Sequence, residues 1–149
     1  MDGIQTVWIY AHNIIRSARQ LVNVELRKLG LNSAEGNILL HLLTQGDGVR
    51  QEAIVGELDI SKPAVSRALN SLQSKGYLVR ERDPLDGRAS RVLLLDPAKA
   101  MRKDLIRIYD QVFSTAAQGL SAEEVATLAQ QLGRVSDNFT RAIRKKGRS

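Results

Sequence analysis

Apolar residues recur every three to four positions at both ends of the chain, whereas the middle holds shorter patterned segments. Over residues 4–29 this spacing predicts a helix of about 25 residues. Gly30 is expected to cap the C-terminal end of that helix. Such a helix is long for a chain of 149 residues, which is too short to cover it fully. We therefore expect a second subunit to cover part of it.

The next stretch predicts two short helices separated by a turn. Ser33 is expected to cap the first helix, which extends to about Leu43. Residues 45–48, with the sequence QGDG, are turn formers. Residues 49–57 are predicted to form the second helix. These assignments give the chain three helices, and the third of them is also the first helix of its strongest motif.

That motif is a pair of helices over residues 50–74, joined by the three-residue turn Leu58-Asp59-Ile60, which matches a helix-turn-helix. Ser61 is expected to cap the second helix, and Pro63 is tolerated in its first turn. Apolar residues form its inner stripe: Val65, Ala68, Leu69 and Leu72. Its outer face carries Lys62, Pro63, Ser66, Arg67, Asn70 and Gln73.

This outer face has no carboxylate from Lys62 to Lys75. A surface that approaches phosphates and base edges cannot carry uncompensated negative charge. The pattern therefore favours contact with nucleic acid. The alternative is an ordinary amphipathic helix in a bundle.

A hairpin is predicted directly after the helix-turn-helix. Residues 77–82 and 92–95 have strand character, and the turn signals Asp-Pro and Asp-Gly lie in DPLDGRASR between them. A helix-turn-helix followed by a hairpin is a winged helix. Its tip would bring Arg88 to a narrow, negative minor groove, with Arg91 as a further candidate contact. Asp86 is expected to accept a hydrogen bond from the Arg88 guanidinium. The alternative for Arg88 is a solvated loop side chain.

Two more helices are predicted after the hairpin. Asp96-Pro97 opens the first, which runs from Ala98 to about Ala117. Ser121 and Glu124 have the spacing of a capping box, and the helix that follows extends to about Arg144. The basic tail, residues 144–149, is expected to fray. The predicted fold is mainly α with a small β-hairpin wing, in the order α-α-α-α-β-β-α-α.

The charge supports a polyanionic partner. The net charge is +6 and the sequence pI is about 10.0, which favours nucleic acid over other partners, although a merely basic protein remains the alternative. Residues 50–91 hold eight Lys and Arg against six Asp and Glu, a net charge of +2. Much of the excess lies in the C-terminal basic run, which either extends a solvated helix end or touches flanking DNA.

Composition excludes several function classes. The chain has no cysteine, so disulfides, cysteine-ligated zinc and thiol redox sensing are excluded. It has no apolar run of about 18 residues and no signal-peptide pattern, so we expect a cytoplasmic protein with no membrane partner. His12 and His41 share no metal-binding spacing, and no serine lies in a nucleophile elbow. We expect neither an enzyme nor a cofactor.

A small-molecule site on the first helix is a further hypothesis. His12 and Arg16 lie four residues apart on the first helix, so both could meet one anionic ligand. The alternative is that His12 packs as a polar side chain and Arg16 is solvated or pairs with a carboxylate.

The segment SKPAVSRALNSLQSKGYLVRERDPLDGRASRVLLL, residues 61–95, resembles the MarR family of bacterial and archaeal transcription regulators. The matching pieces are Val65-Ser66-Arg67, the spacing from Leu72 to Gly76, an arginine near the end of the strand (Arg80 or Arg82), and Asp86-Gly87-Arg88. The helix order fits over essentially the whole chain. One departure follows the second strand, where the family often has Leu-Thr-x-x-Gly and this chain has Leu95-Asp96-Pro97-Ala98-Lys99. We expect Asp96 to cap the next helix there, with Pro97 at its first position.

The resemblance implies one MarR-type domain over residues 1–149. In it, residues 33–96 form the DNA-binding winged helix, and residues 4–30 and 98–145 form dimerisation helices. Each subunit of a homodimer would contact one half-site of a near-palindromic operator in double-stranded DNA. Ser66 and Arg67 would lie in the major groove and Arg88 in the minor groove.

The resemblance further implies a repressor relieved by a small anionic or phenolic ligand bound between the dimer lobe and the winged helix. Two alternatives stay open. One is an architectural protein that binds DNA without sequence preference, and the other is a winged helix that contacts proteins.

Overall fold

The structure, a computed structural model, describes residues 2–58 and 60–148. Asp59, in the predicted turn between the two helices of the motif, lies outside the described residues. The elements in chain order are α1 (Gly3–Lys28), α2 (Ser33–Gln45), β1 (Val49–Arg50), α3 (Gln51–Leu58), α4 (Lys62–Ser74), β2 (Leu78–Arg82), β3 (Ser90–Leu94), α5 (Asp96–Ala100), α6 (Arg102–Ala116) and α7 (Ala122–Lys146). The predicted class, mainly α with a small β-hairpin wing, is confirmed.

The chain divides into two compact units between Val112 and Phe113. The first unit contains α1 to α5 and most of α6, and its core is almost entirely aliphatic. The fully buried side chains of this core include Leu26, Ile38, Leu39, Ile54, Leu69, Leu72, Leu78, Val92 and Leu105. The second unit contains the end of α6 and all of α7, and none of the described side chains of α7 is buried. No helix within residues 2–58 and 60–148 is both long enough and apolar enough to cross a bilayer.

The turn between α1 and α2 is fixed by the backbone of Gly30. Its φ of +73° lies in the left-handed region that favours glycine. The Gly30 N–H donates to the Arg27 carbonyl and the Leu31 N–H donates to the Leu26 carbonyl, both at 3.0 Å, which is the Schellman pattern of a helix end. Gly36 then lets α2 approach α1, because a Cβ there would come within 2.5 Å of Leu26 Cδ1.

The predicted cap of α2 was wrong by one residue. Asn32, not Ser33, is the N-cap: its Oδ1 accepts from the Glu35 N–H at 2.9 Å, and Glu35 Oε1 accepts from the Asn32 N–H at 3.1 Å. Asparagine and serine are similarly good caps. Only Asn32, however, has a glutamate three residues later, and the reciprocal capping box fixes the helix start.

The sheet contains a strand that the sequence did not predict. β1 pairs antiparallel with β3, with Val49 opposite Val92 and Arg50 opposite Arg91, and the sheet order is β1-β3-β2. The helix predicted over residues 49–57 therefore starts only at Gln51. A two-residue strand has no periodicity of its own and is defined by a partner about forty residues away.

The helix predicted after the hairpin is divided into α5 and α6 at Met101, where neither glycine nor proline marks a break. Asp96 lies inside α5; the N-cap is Leu95, which makes no side-chain cap bond. The prediction of an Asp96 cap was therefore wrong. Farther along α6, the Tyr109 hydroxyl donates to Asn37 Oδ1 on α2. Burial raises the pKa of Tyr109 to about 12, so this phenol stays protonated and keeps donating.

The capping box predicted at Ser121 and Glu124 is confirmed, with reciprocal bonds of 3.0 and 3.1 Å. The prediction that the tail frays was wrong as far as Lys146, where α7 ends. Its last turn carries Arg144, Lys145 and Lys146. Positive charges at this end of a helix interact favourably with the helix macrodipole.

Candidate nucleic-acid interface

The helix α4 presents one polar face because its other face is buried. The Ser61 Oγ accepts from the Ala64 N–H at 3.3 Å and starts the helix as predicted. Val65, Leu69 and Leu72 are fully buried, and Ala68 nearly so. The predicted outer residues are consequently brought together on the opposite face. Lys62, Pro63, Arg67, Asn70 and Gln73 are exposed and Ser66 is half-buried.

A buried carboxylate fastens α4 to the turn between α1 and α2. Glu35 is 2% exposed, and its Oε2 accepts from Ser71 Oγ at 3.0 Å and from Lys75 Nζ at 2.8 Å. Lys75 Nζ also donates to the Gly30 carbonyl at 2.7 Å. This network was not predicted from the sequence. Only the capping-box spacing of Asn32 and Glu35 was detectable in advance.

A second link joins α4 to the wing. Arg80, on β2, donates from Nε to Gln73 Oε1 at 2.9 Å and from Nη2 to Asn70 Oδ1. The amide oxygens of two predicted outer-face residues are therefore engaged within the protein. From the sequence, Arg80 was predicted only as part of a family pattern, and this contact was not predicted.

A cleft of about 490 Å³ lies beside α4. Arg67 and Ser71 line it from α4, and Arg27 lines it from α1. No carboxylate among residues 2–58 and 60–148 forms an ion pair with either arginine. The cleft therefore holds two uncompensated positive charges and suits an anion. Arg27 was not among the predicted site residues.

The base of the wing is fixed by Asp83, which is 6% exposed. Its Oδ1 accepts from the Leu85 N–H at 2.8 Å and its Oδ2 from Arg50 Nε at 2.6 Å. The Leu85 bond, with help from Arg50, holds the pKa of Asp83 below its ordinary value despite its burial. The same bond to Asp83 raises the pKa of Arg50. The hairpin tip is thus attached to β1 by a charge-assisted bond.

At the tip, Asp86 does not orient the Arg88 guanidinium. Its Oδ1 accepts from the Arg88 backbone N–H at 3.0 Å, so that prediction was wrong. A side chain two residues before an N–H reaches it in an Asx turn, and this local bond uses the carboxylate. The Arg88 guanidinium is exposed and has no hydrogen-bonding partner in the described part of the chain. Leu85, beside it, is 92% exposed.

Arg91 lies in the sheet and not at the tip. It is half-buried on β3, opposite Arg50 on β1 and Glu81 on β2. Its Nε is buried and has no hydrogen-bonding partner among the residues described.

The two predicted ligand residues, His12 and Arg16, are exposed on α1. The His12 ring packs edge-on against Trp8, with ring centres 5.4 Å apart. Arg16 Nη2 donates to Asn13 Oδ1 at 2.9 Å. Neither residue lines the Arg27–Arg67 cleft. Residues 2–58 and 60–148 bring no group of three His, Asp or Glu side chains close enough to hold a metal.

Known proteins resemble this chain over its winged helix. A model of the MarR family matches residues 29–89. The uncharacterized HTH-type transcriptional regulator YdgJ of Bacillus subtilis (strain 168) is 31% identical over 101 residues, which cover 68% of this chain and 62% of the relative. The match therefore spans less than two thirds of that relative's length.

Solved structures share the fold. A MarR transcriptional regulator from Methanosarcina mazei Go1 superposes with a TM-score of 0.82 at 22% identity, covering 93% of this chain and 99% of the other. A putative MarR family regulator from Listeria monocytogenes, complexed with a 26mer DNA, has a TM-score of 0.79 at 20% identity, covering 95% and 91%.

These relatives are transcription regulators and not enzymes, in agreement with the expectation for this chain. The matched residues 29–89 include α4, Arg80 and the wing tip. The family match over residues 29–89, the similarity to a regulator of Bacillus subtilis and the shared winged-helix fold confirm the predicted resemblance to the MarR family.

Proposed function

We propose that this chain is a homodimeric transcription regulator that recognises a near-palindromic operator in double-stranded DNA. The observation that carries the proposal is the exposed face of α4, which has cations and amide groups but no carboxylate. A helix of this kind fits the major groove of B-DNA and meets acceptors there. The DNA-complexed regulator from Listeria monocytogenes, with the same fold, supports the proposal.

The wing supplies the second contact of the proposal. The Arg88 side chain is exposed and free of partners in the described residues, while the backbone around it is fixed by Asp83 and Asp86. A fixed loop that presents a free guanidinium suits a narrow minor groove. In this proposal Lys62, Pro63, Ser66, Arg67 and Asn70 face the major groove, and Arg88 enters the minor groove. Arg91, half-buried on β3, is the further DNA contact predicted from the sequence.

The apolar faces of two helices support a homodimer. On α1, Ile4, Ile14 and Ile15 are each about 60% exposed. On α7, Leu128, Leu132 and Ile143 are 49%, 42% and 71% exposed. Contiguous apolar surfaces of this kind mark interaction sites, and a second copy of the chain would cover them. A two-fold dimer would present two winged helices to the two halves of an operator.

The proposed mode of regulation is repression in the cytoplasm, relieved by a small anionic or phenolic ligand. The family resemblance supports this mode. The cleft lined by Arg27 and Arg67 supports an anionic ligand, and a ligand bound there would occupy Arg67, which the proposal assigns to DNA. His12 and Arg16 remain the contacts predicted from the sequence.

Binding to the DNA directly upstream of the coding sequence, compared with a scrambled duplex of equal length over a range of salt concentrations, tests the proposal. A preference of about a thousandfold or more is expected of a specific regulator. Equal binding to both duplexes would instead indicate an architectural protein. No binding to either at low salt would favour a winged helix that contacts proteins.

A further inference from the structure

The side chain of Arg80 joins the wing to the outer face of α4. Arg80 lies on β2, opposite Val92 of β3. From there its Nη2 and Nε reach Asn70 Oδ1 and Gln73 Oε1, two side chains one turn apart on α4. One guanidinium therefore holds two amide groups in fixed orientations.

The direction of these bonds follows from the chemistry of the guanidinium. Arginine has five N–H donors and no acceptor. The atom that each amide turns toward Arg80 must therefore be its oxygen, and the NH₂ group must point away. Asn70 and Gln73 are both exposed, and their NH₂ groups have no partner within the described residues. With one lone pair of each oxygen engaged by Arg80, these two residues offer chiefly donors to the surroundings.

We propose that Arg80 sets the hydrogen-bond polarity of α4, so that Asn70 and Gln73 read base edges that present acceptors. The inference rests on the proposed function and specifies what it recognises. In the major groove guanine presents two adjacent acceptors, N7 and O6, whereas cytosine presents a donor. A free asparagine or glutamine pairs with adenine through both its oxygen and its NH₂ group. With the oxygen engaged by Arg80, guanine becomes the preferred partner.

Arg80 is a positioning residue in this proposal, and α4 does not depend on it for its place in the fold. The helix is held by the buried side chains of Val65, Leu69 and Leu72 and by the bonds of Lys75 and Ser71 to Glu35. The start of β2 is fixed separately, because the Tyr77 N–H donates to the Leu72 carbonyl at 3.0 Å. Loss of the Arg80 head group should therefore free the two amides without displacing α4.

The test is selection of bound sequences from a library of randomised duplexes, followed by titration of single-base variants of the preferred site. We would compare the wild type with Arg80→Met, which keeps the aliphatic stem. The matched control is Arg82→Met, since Arg82 is exposed on the same strand and has no partner among the residues described. Asn70→Ala and Gln73→Ala identify which base positions depend on each amide. Arg80→Lys is a second variant, because lysine keeps the charge without the planar fork.

We expect the wild type to prefer guanine over adenine at the amide-dependent positions by roughly tenfold. In Arg80→Met the preference should fall below about threefold at those positions alone. Arg82→Met should weaken all duplexes alike. In an Asn70→Ala/Gln73→Ala background, Arg80→Met should have no further effect on base preference.

Three results would overturn the inference while leaving the proposed function intact. The first is an unchanged preference for guanine over adenine in both Arg80 variants. The second is equal weakening of binding to all duplexes by Arg80→Met. The third is selection of adenine or cytosine by the wild type at the amide-dependent positions. A wild type without any base preference would overturn the proposed function together with this inference.

Discussion

Arg50 Nε lies 2.6 Å from Asp83 Oδ2, and this bond ties the first strand of the sheet to the base of the wing. The two residues are 33 positions apart. Asp83 is almost fully buried, whereas the Arg50 side chain is 43% exposed. The pair therefore fixes the start of the hairpin tip, and with it the backbone that presents Arg88.

Asp83→Asn should lower the free energy of unfolding at neutral pH, and the loss should depend on pH. The pKa of Asp83 is lowered from its ordinary value of 3.8 in the folded protein. Its stabilising contribution is therefore complete above that value and is lost as the pH falls through the lowered pKa. Urea unfolding of both proteins between about pH 6 and about pH 2 measures the difference. The difference in unfolding free energy between the wild type and Asp83→Asn should become smaller as the pH falls. A difference that does not change with pH would show that the carboxylate charge is not what stabilises the wing.

Glu35→Ala should destabilise the protein by about 2–4 kcal/mol, because it leaves Ser71, Lys75 and the Asn32 N–H without their partner. Glu25 offers a matched control, since it forms an exposed ion pair with Lys28 at 3.0 Å. Glu25→Ala should change stability by less than about 1 kcal/mol. Urea denaturation measures both. Equal effects would contradict the role given to the buried network.

The cap of α2 can be tested with adjacent residues. Asn32→Ala should cost about 1 kcal/mol, because the Glu35 N–H loses its acceptor. Ser33→Ala should cost less than about 0.5 kcal/mol, since Ser33 already lies inside the helix. Thermal or chemical unfolding distinguishes them. A larger loss of stability from Ser33→Ala than from Asn32→Ala would identify Ser33, not Asn32, as the cap.

Arg88→Ala should weaken DNA binding and reduce the slope of log affinity against log salt concentration by about one unit. The reason is the loss of a wing-tip cation that has no partner among the residues described. Arg107→Ala is the control, because Arg107 is exposed on α6 and already pairs with Asp104 at 2.9 Å. Fluorescence anisotropy over a range of salt concentrations measures both the DNA affinity and its salt dependence. If Arg88→Ala and Arg107→Ala behaved alike, the wing would not be a DNA contact.

Leu132→Asp should shift the protein toward monomers, since it puts a charge into the apolar face of α7 that the proposed dimer buries. Gln130→Asp changes the charge equally on the opposite face of the same helix. Sedimentation equilibrium at several concentrations should show at least tenfold weaker association for Leu132→Asp alone, equivalent to about 1.4 kcal/mol. A monomeric wild type would exclude the homodimer.

Much of the fold could be predicted from local pattern. The long helices repeat their apolar residues often enough to be recognised, and the caps at Ser61 and Ser121 have a short-range hydrogen-bonding signature. The hairpin was predictable because Asp-Pro and Asp-Gly favour turns. The outer face of α4 could be identified too, because burial of Val65, Leu69 and Leu72 leaves only one side of the helix exposed.

The sequence by itself thus determined which segments form elements and which helix face is polar, since these depend on residues within one or two turns of each other. The tertiary structure alone decided the strand β1, the anchor of Glu35 to Lys75 and the bond of Arg50 to Asp83, whose partners lie 33 to 43 positions apart. It also decided that Arg80 engages Asn70 and Gln73. A long polar side chain can reach many partners, and only the packing of the elements selects the one that it meets.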